Sequence, residues 1–201
     1  MPIQDRAIGW KTCRLWIPIR EFAGFDNNGT NDLTLSEGTP TLEPLTTSEI
    51  AGLPMTTADE VCHIMPVPWN LARDKKVLGR IVFQHAAAGA DTPIFKWGVK
   101  FFGKQDAMTE FVAGADTVTT FAAHTCSTNN PSLEATVWTD LDWDDYLTAT
   151  DIMAAMHIEL DDLGSASTDE CKVIGVELAY EVAATTNHRQ KTEHMVNEQP
   201  V

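Results

Sequence analysis

Basic residues are scarce. Lys and Arg total 14 against 29 Asp and Glu, a formal net charge of −15 over 201 residues. So acidic a surface repels phosphate, and no basic patch interrupts it, which argues against nucleic acid as a partner. Long apolar runs are missing as well. None approaches the roughly 18 residues of a membrane-spanning helix, so no membrane partner is expected. The opening stretch MPIQDRAIGWKTCRLW lacks the charged-then-apolar layout of a secretory signal, and export by that route is not expected. Cysteines are few: Cys13, Cys62, Cys126 and Cys171 form no CxxC and no short Cys/His spacing. That speaks against a structural zinc site and against a disulfide-built scaffold, leaving buried free thiols as the expectation and a single chance disulfide as the alternative.

Catalytic signatures are also absent. There is no GxSxG nucleophile elbow, no GxGxxG and no GxxxxGK[ST] phosphate cradle. Metal-dependent jelly rolls of the cupin type need an HxH pair, and none of His63, His85, His124, His157, His188 or His194 makes one. His63 and His157 fall in strand-like alternation and read as surface or interface residues; His188 and His194 lie in a polar tail. Nothing singles out two of the carboxylates as a glycosidase pair. The expectation is a protein that is not an enzyme and needs no cofactor.

What the sequence does hold is two-residue alternation, the mark of a strand with one buried and one wet face. Phe95, Trp97, Val99 and Phe101 alternate with Lys96, Gly98 and Lys100. Ile174, Val176, Leu178, Tyr180 and Val182 oppose Gly175, Glu177, Ala179 and Glu181. Val77, Ile81 and Phe83 oppose Arg80 and Gln84, while Leu133, Ala135 and Val137 oppose Glu134 and Thr136. Met156, Ile158 and Leu160 form a fifth strand, preceded at Met153–Ala155 by a short helical start capped by Thr150 or Asp151. Val61–Met65 is a sixth. Only Lys104–Val112 has the composition of a helix.

Near the N-terminus Leu15, Ile17 and Ile19 alternate with Trp16 and Pro18. Proline cannot donate to a ladder, so this strand is expected at a sheet edge or reaching across to another subunit. From Ala23 to Thr57 the chain is rich in Gly, Thr, Ser, Asp and Pro and reads as a long loop running over the surface or over a neighbour, with Asn28-Gly29 as a turn. The resulting expectation is all-β: a two-sheet antiparallel jelly-roll sandwich with an N-terminal arm and a C-terminal tail. Its divisions are an arm and loop over 1–60, the sandwich over 61–183 and a polar tail over 184–201.

Two constellations offer site candidates. Asp140, Asp142 and Asp144 stand at the one-three-five spacing of a calcium loop, with Asp151 at the twelfth place. The sixth place is Asp145 where such a loop needs glycine, and no paired helices flank it. A solvated acidic loop, with Leu141 and Trp143 packing inward, is the preferred reading, so no metal is expected. The second constellation is apolar and aromatic. Trp10, Leu15, Trp16, Ile17 and Ile19 in the arm, with Trp138 alternating opposite Val137, are candidate interface residues. The competing reading folds the arm back as an edge strand whose Trp16 caps its own core.

The stretch DIMAAMHIELDDLGSASTDECKVIGVELAYEV closes the strand series. In it, Met156–Leu160, a polar hairpin and Ile174–Val182 resemble the last strands of small viral jelly rolls. Over residues 61–182 the chain is similar to virion structural proteins of tailed bacteriophages. The resemblance implies a capsid decoration (cement) or fibre-head protein, made in the host cytoplasm and placed on the virion's capsid exterior. It also implies a homotrimer whose partner is the major capsid protein. The rival function is a carbohydrate- or receptor-binding module of a fibre or tail, since sandwiches bind sugars on exposed aromatics.

Overall fold

The structure, a computed structural model, describes residues 12–24, 42–45, 51–57, 59–85, 92–104, 106, 115–127, 132–164 and 171–182. Trp10, most of the Lys104–Val112 stretch and the tail beyond Val182 lie outside them. The strands are β1 (Thr12–Pro18), β2 (Ala23–Gly24), β3 (Glu43–Pro44), β4 (Ala51–Met55), β5 (Glu60–Pro66) and β6 (Val77–His85). They continue as β7 (Ile94–Gly103), β8 (Thr117–Thr120), β9 (Ser132–Ala135), β10 (Thr139–Asp140), β11 (Asp151–Asp162) and β12 (Cys171–Glu181). A four-residue helix, α1 (Trp143–Tyr146), interrupts them. Among the described residues no helix is long and apolar enough to cross a membrane.

Two antiparallel sheets face each other. The larger runs β10-β6-β12-β4-β3, with β1 also on β12 and β9 also on β6; the smaller runs β2-β5-β11-β7-β8. The chain keeps crossing between them: β5 in the smaller, β6 in the larger, β7 and β8 in the smaller, β9 and β10 in the larger, then β11 and β12 one in each. This is the two-sheet antiparallel jelly-roll sandwich that the alternation predicts. Its filling comes from the inward faces. Phe95, Trp97 and Val99 on β7 meet Val77, Ile81 and Phe83 on β6, and all six are buried. Phe83 and Phe95 touch across the gap with ring centroids 5.2 Å apart.

Four local expectations are corrected. The Met153–Ala155 stretch is strand, not the start of a helix. It is laddered to β5 on one side and β7 on the other, so backbone pairing on both edges overrides local propensity. On β12 the expected face changes sides partway. A register shift between Val173 and Gly175 buries Cys171 and Val173, then Val176 and Leu178, leaving Ile174 on the outer face. One extra residue reverses the phase of everything before it.

The third correction inverts β9. Leu133 and Val137 are 69% and 61% exposed, while Thr136 is buried and Glu134 nearly so. The polar pair goes inside because it finds partners there. Thr136 Oγ1 accepts the Ile81 amide at 3.0 Å, and Glu134 accepts from the Ser127 amide at 2.9 Å.

The fourth concerns only the bounds of the arm, whose reading as an edge strand folded back on its own sheet the pairing bears out. Thr12–Pro18 is an edge strand of the larger sheet, paired residue for residue with Glu181–Gly175 of the same chain. Ile17 and Ile19 are buried in the core and Leu15 packs against it. The sandwich therefore takes in residues assigned to the 1–60 arm, and β4 lies within the stretch expected to be loop. Pro18 ends β1 with no strand beyond it among the described residues, consistent with its missing N–H.

Candidate functional site

The outer face of the larger sheet carries a groove of about 510 Å³. Its position follows from register. Arg14 on β1 lies opposite Ala179 on β12, and Ala179 opposite Leu78 on β6, so the apolar pair Ala179 and Leu78 forms the floor with Arg14 beside it. Thr12 and Glu181 continue the lining at one side, and Trp138, Lys76 and Asp144 close the far end. Tyr180 also borders the groove; burial, then Cys13, hold its hydroxyl above the ordinary tyrosine range.

Trp138 is half-buried rather than freely exposed. The Arg80 guanidinium sits 4.7 Å from its ring centroid and the Arg14 guanidinium 5.7 Å. Arg80 is itself ion-paired to Glu177, which stands opposite it on β12. A cation over an indole face is held by the ring's negative quadrupole, so the tryptophan is fixed in place before any ligand arrives. Lys76 pairs with Asp140 at the edge of the same face. The hydrogen bond to Asp140, with the Asp144 and Asp142 charges behind it, lifts the Lys76 ammonium above the usual lysine range.

The six interface candidates now separate. Leu15, Ile17 and Ile19 turn toward their own core, and Trp10 lies outside the described residues. Trp16 is 44% exposed on the outer face of β1, its ring over Gly175 and outside the groove's lining. Trp138 and Trp16 are thus brought to one face. Sequence alternation had flagged both, but not Arg80, Arg14 or Leu78. The Arg80–Glu177 pairing was the missing signal: both sit on wet faces of long strands, yet only the register brings them together.

The acidic loop does not converge. Asp140 is spent on Lys76 and on the Asp142 amide, 3.2 Å away. Asp144 lies in α1 and borders the groove. Asp151 is buried, and its carboxylate accepts the Thr148 amide at 2.7 Å and the Thr148 hydroxyl at 2.9 Å. Among the described residues no three His, Cys, Asp or Glu side chains are grouped to hold a metal ion. Even spacing along the chain thus does not bring these carboxylates to one point: those of Asp140 and Asp151 are engaged by separate partners.

One further polar cluster merits chemical scrutiny. Glu134 accepts hydrogen bonds from Ser132 and the Ser127 amide through one oxygen, and lies 3.0 Å from His124 Nε2 through the other. A nucleophilic triad needs the imidazole between hydroxyl and carboxylate. Here the carboxylate is in the middle, so the histidine cannot take the serine's proton, and the cluster is a half-buried brace. Burial pushes the Glu134 carboxyl up, but the bonds from Ser132, His124 and Ser127 outweigh it and leave it below the usual glutamate range. A folded-state value below the unfolded one gives stability that is present above the ordinary glutamate pKa and lost as pH falls through the lowered one. The urea-unfolding free energy of wild type should therefore exceed that of Glu134→Gln at pH 7, with the gap narrowing as pH falls below the ordinary glutamate pKa. A gap constant with pH would mean that the charge contributes nothing.

The other titratable pairs are likewise engaged. His157 Nε2 meets Glu60 Oε2 at 3.1 Å, and His63 Nδ1 lies 2.8 Å from the Glu21 carbonyl. All four cysteines are free thiols; Cys126 and Cys171 are buried, and burial raises the Cys62 thiol.

No family model matches the chain, and no curated protein matches it. Among solved structures, one similar to it is a xylan-binding module, CBM15, at 12% identity and a TM-score of 0.44. That overlap spans 86% of this chain and 99% of the other.

Proposed function

We propose that this chain is a non-enzymatic binding module whose ligand is a glycan held on the outer face of the larger sheet. The observation that carries this is the groove itself: an apolar floor of Leu78 and Ala179, an arginine-braced Trp138, and a rim of charged groups. Pyranose rings present weakly positive C–H faces, which suit an indole, and a belt of hydroxyls, which suit carboxylates and guanidinium groups. Sites of this kind combine concavity with a few fixed polar groups. The chain's net charge of −15 selects against polyanionic ligands and for neutral ones.

A glycan array followed by titration calorimetry tests this. Trp138→Ala should weaken the best ligand by about 2 kcal/mol, roughly 30-fold, as loss of an anchoring aromatic does. Unaltered affinity in a folded Trp138→Ala variant would remove the groove from the site.

A second reading, a capsid decoration protein on a tailed-phage virion, draws on a different observation. Leu133 and Val137 on the larger sheet's flank, and Ile64 and Val118 on the smaller sheet, leave large apolar side chains in water. A neighbouring subunit or capsomer would cover them. On this reading the chain runs as a homotrimer in solution and sediments with undecorated shells of the phage that encodes it, saturating at a fixed copy number. A monomer that never pellets with shells would refute it. The two readings are compatible, because a shell-bound module can still present a groove outward.

A further inference from the structure

We infer that Arg14 is the groove's specificity-determining residue: it rests on Trp138 until a sugar ring arrives, then yields the indole to that ring and donates hydrogen bonds to its hydroxyls. This rests on the glycan reading above and deepens it. Three cations, Arg14, Lys75 and Lys76, line the groove. Lys75 Nζ lies 3.2 Å from an Asp74 carboxylate oxygen, and Lys76 is paired with Asp140. Arg14 is exposed, and its guanidinium has no hydrogen bond or ion pair among the described residues. Its planar fork of N–H donors is therefore uncommitted.

Register places that fork over the floor. Arg14 on β1 and Trp138, which precedes Thr139 of β10, are separated by β12 and β6. Neighbouring strands lie about 4.8 Å apart, so about 14 Å of sheet parts their backbones. The guanidinium nevertheless lies 5.7 Å from the Trp138 ring centroid, so the two side chains lean toward each other across Ala179 and Leu78. A longer side chain at position 179 would stand in their way.

The two arginines on the indole are held differently. Arg80 lies at 4.7 Å and is ion-paired to Glu177, so moving it off the ring breaks a second contact. Arg14, at 5.7 Å, is near the roughly 6 Å limit of a cation–π contact and has no other bond to lose. Arg80 is the fixed brace and Arg14 the exchangeable cover. The groups beside it define the ligand. Arg14 can only donate, and its fork matches a pair of neighbouring oxygens. Asp144 and Glu181, in the same lining, carry carboxylates that accept, and neither has a hydrogen bond among the described residues. A hydroxyl serves both sides, because it donates and accepts. A sulfate or a uronate carboxylate would suit Arg14 but meet repulsion from Asp144 and Glu181. The ligand class is therefore a neutral glycan that presents adjacent, unsubstituted hydroxyls at the edge of the ring stacked on Trp138.

Calorimetry with xylohexaose, cellohexaose and mannohexaose tests this on wild type, Arg14→Ala and Arg14→Lys, each checked for a native circular-dichroism spectrum. For the sugar that wild type binds best, Arg14→Ala should weaken affinity about tenfold or more, the scale of a lost hydrogen bond to a charged group. Arg14→Lys should recover little of that loss, because an ammonium lacks the planar fork. Acrylamide quenching of Trp138 fluorescence, isolated by subtracting a Trp138→Phe variant, reads the resting contact. Without sugar it should rise in Arg14→Ala, as the indole loses its cover. Unchanged or tighter sugar binding by Arg14→Ala overturns the inference while leaving the glycan reading standing, and so does full rescue by lysine or unchanged quenching. Absence of binding of all three sugars by wild type overturns both.

Discussion

Trp97→Ala should cost the fold about 3–5 kcal/mol, the range for truncating a large buried aromatic. Trp97 lies on the inward face of β7 and is 1% exposed. Its ring stacks on Phe121 at 6.3 Å between centroids and 26° between planes. It also reaches the opposite sheet: a Cβ on Gly79 of β6 would fall 3.0 Å from Trp97 Cζ3. The indole thus fills the space that Gly79 leaves, and alanine would open a cavity between the layers that neither backbone can close. Domains of this kind are stable by about 5–15 kcal/mol in all, so the loss takes a large share.

Trp97→Phe should cost far less. The Nε1–H of Trp97 meets no acceptor among the described residues, so phenylalanine forfeits packing but no hydrogen bond. Urea unfolding of the three proteins measures both gaps. The same experiment on Trp138→Ala should show a change of about 1 kcal/mol or less, because that ring serves the outer face. Equal losses at Trp97 and Trp138 would contradict the separation of core from groove.

That separation also marks what the sequence reveals. The inner faces of β6 and β7 are legible because a buried face must be apolar at every second place, and nothing interrupts the phase there. On β12 the phase breaks at a bulge, which no composition rule announces, so Ile174 is assigned to the wrong face. On β9 the rule inverts: Glu134 and Thr136 turn inward because Ser127, Ser132, His124 and the Ile81 amide are waiting for them. Ser132, Ser127 and His124 lie within ten residues of Glu134, but no two-residue pattern signals them, and the Ile81 amide comes from another strand, β6. The site is legible only in Trp138. It stands out as an aromatic on a wet face, but its place against Arg80 and beside Leu78 and Ala179 depends on the pairing of β10 with β6 and of β12 with β6. Register of that kind is set by the whole sandwich.

Deleting residues 1–20 should abolish cooperative folding, contrary to what an accessory arm would do. β1 contributes seven paired residues along β12, from Thr12 against Glu181 to Pro18 against Gly175. Ile17 and Ile19 are 5% and 3% exposed. Losing each is worth about 2–5 kcal/mol by analogy with truncation to alanine, so the pair alone approaches the whole stability of a typical domain. The ladder's hydrogen bonds, about 1 kcal/mol net apiece, add to the deficit. Deletion also bares the edge of β12 beside the apolar side chains of Val176 and Leu178, a template for association between chains. The truncated protein should therefore show no urea transition or precipitate, whereas Ile17→Ala alone should unfold cooperatively with a reduced midpoint. A truncation that keeps the wild-type melting temperature would mean that β1 is not part of the sheet. Because the deletion destroys the scaffold, its failure to bind shells or sugars would say nothing about contact through this strand. Trp16→Ala, which leaves Leu15, Ile17 and Ile19 in the core, is the substitution that isolates the outer face.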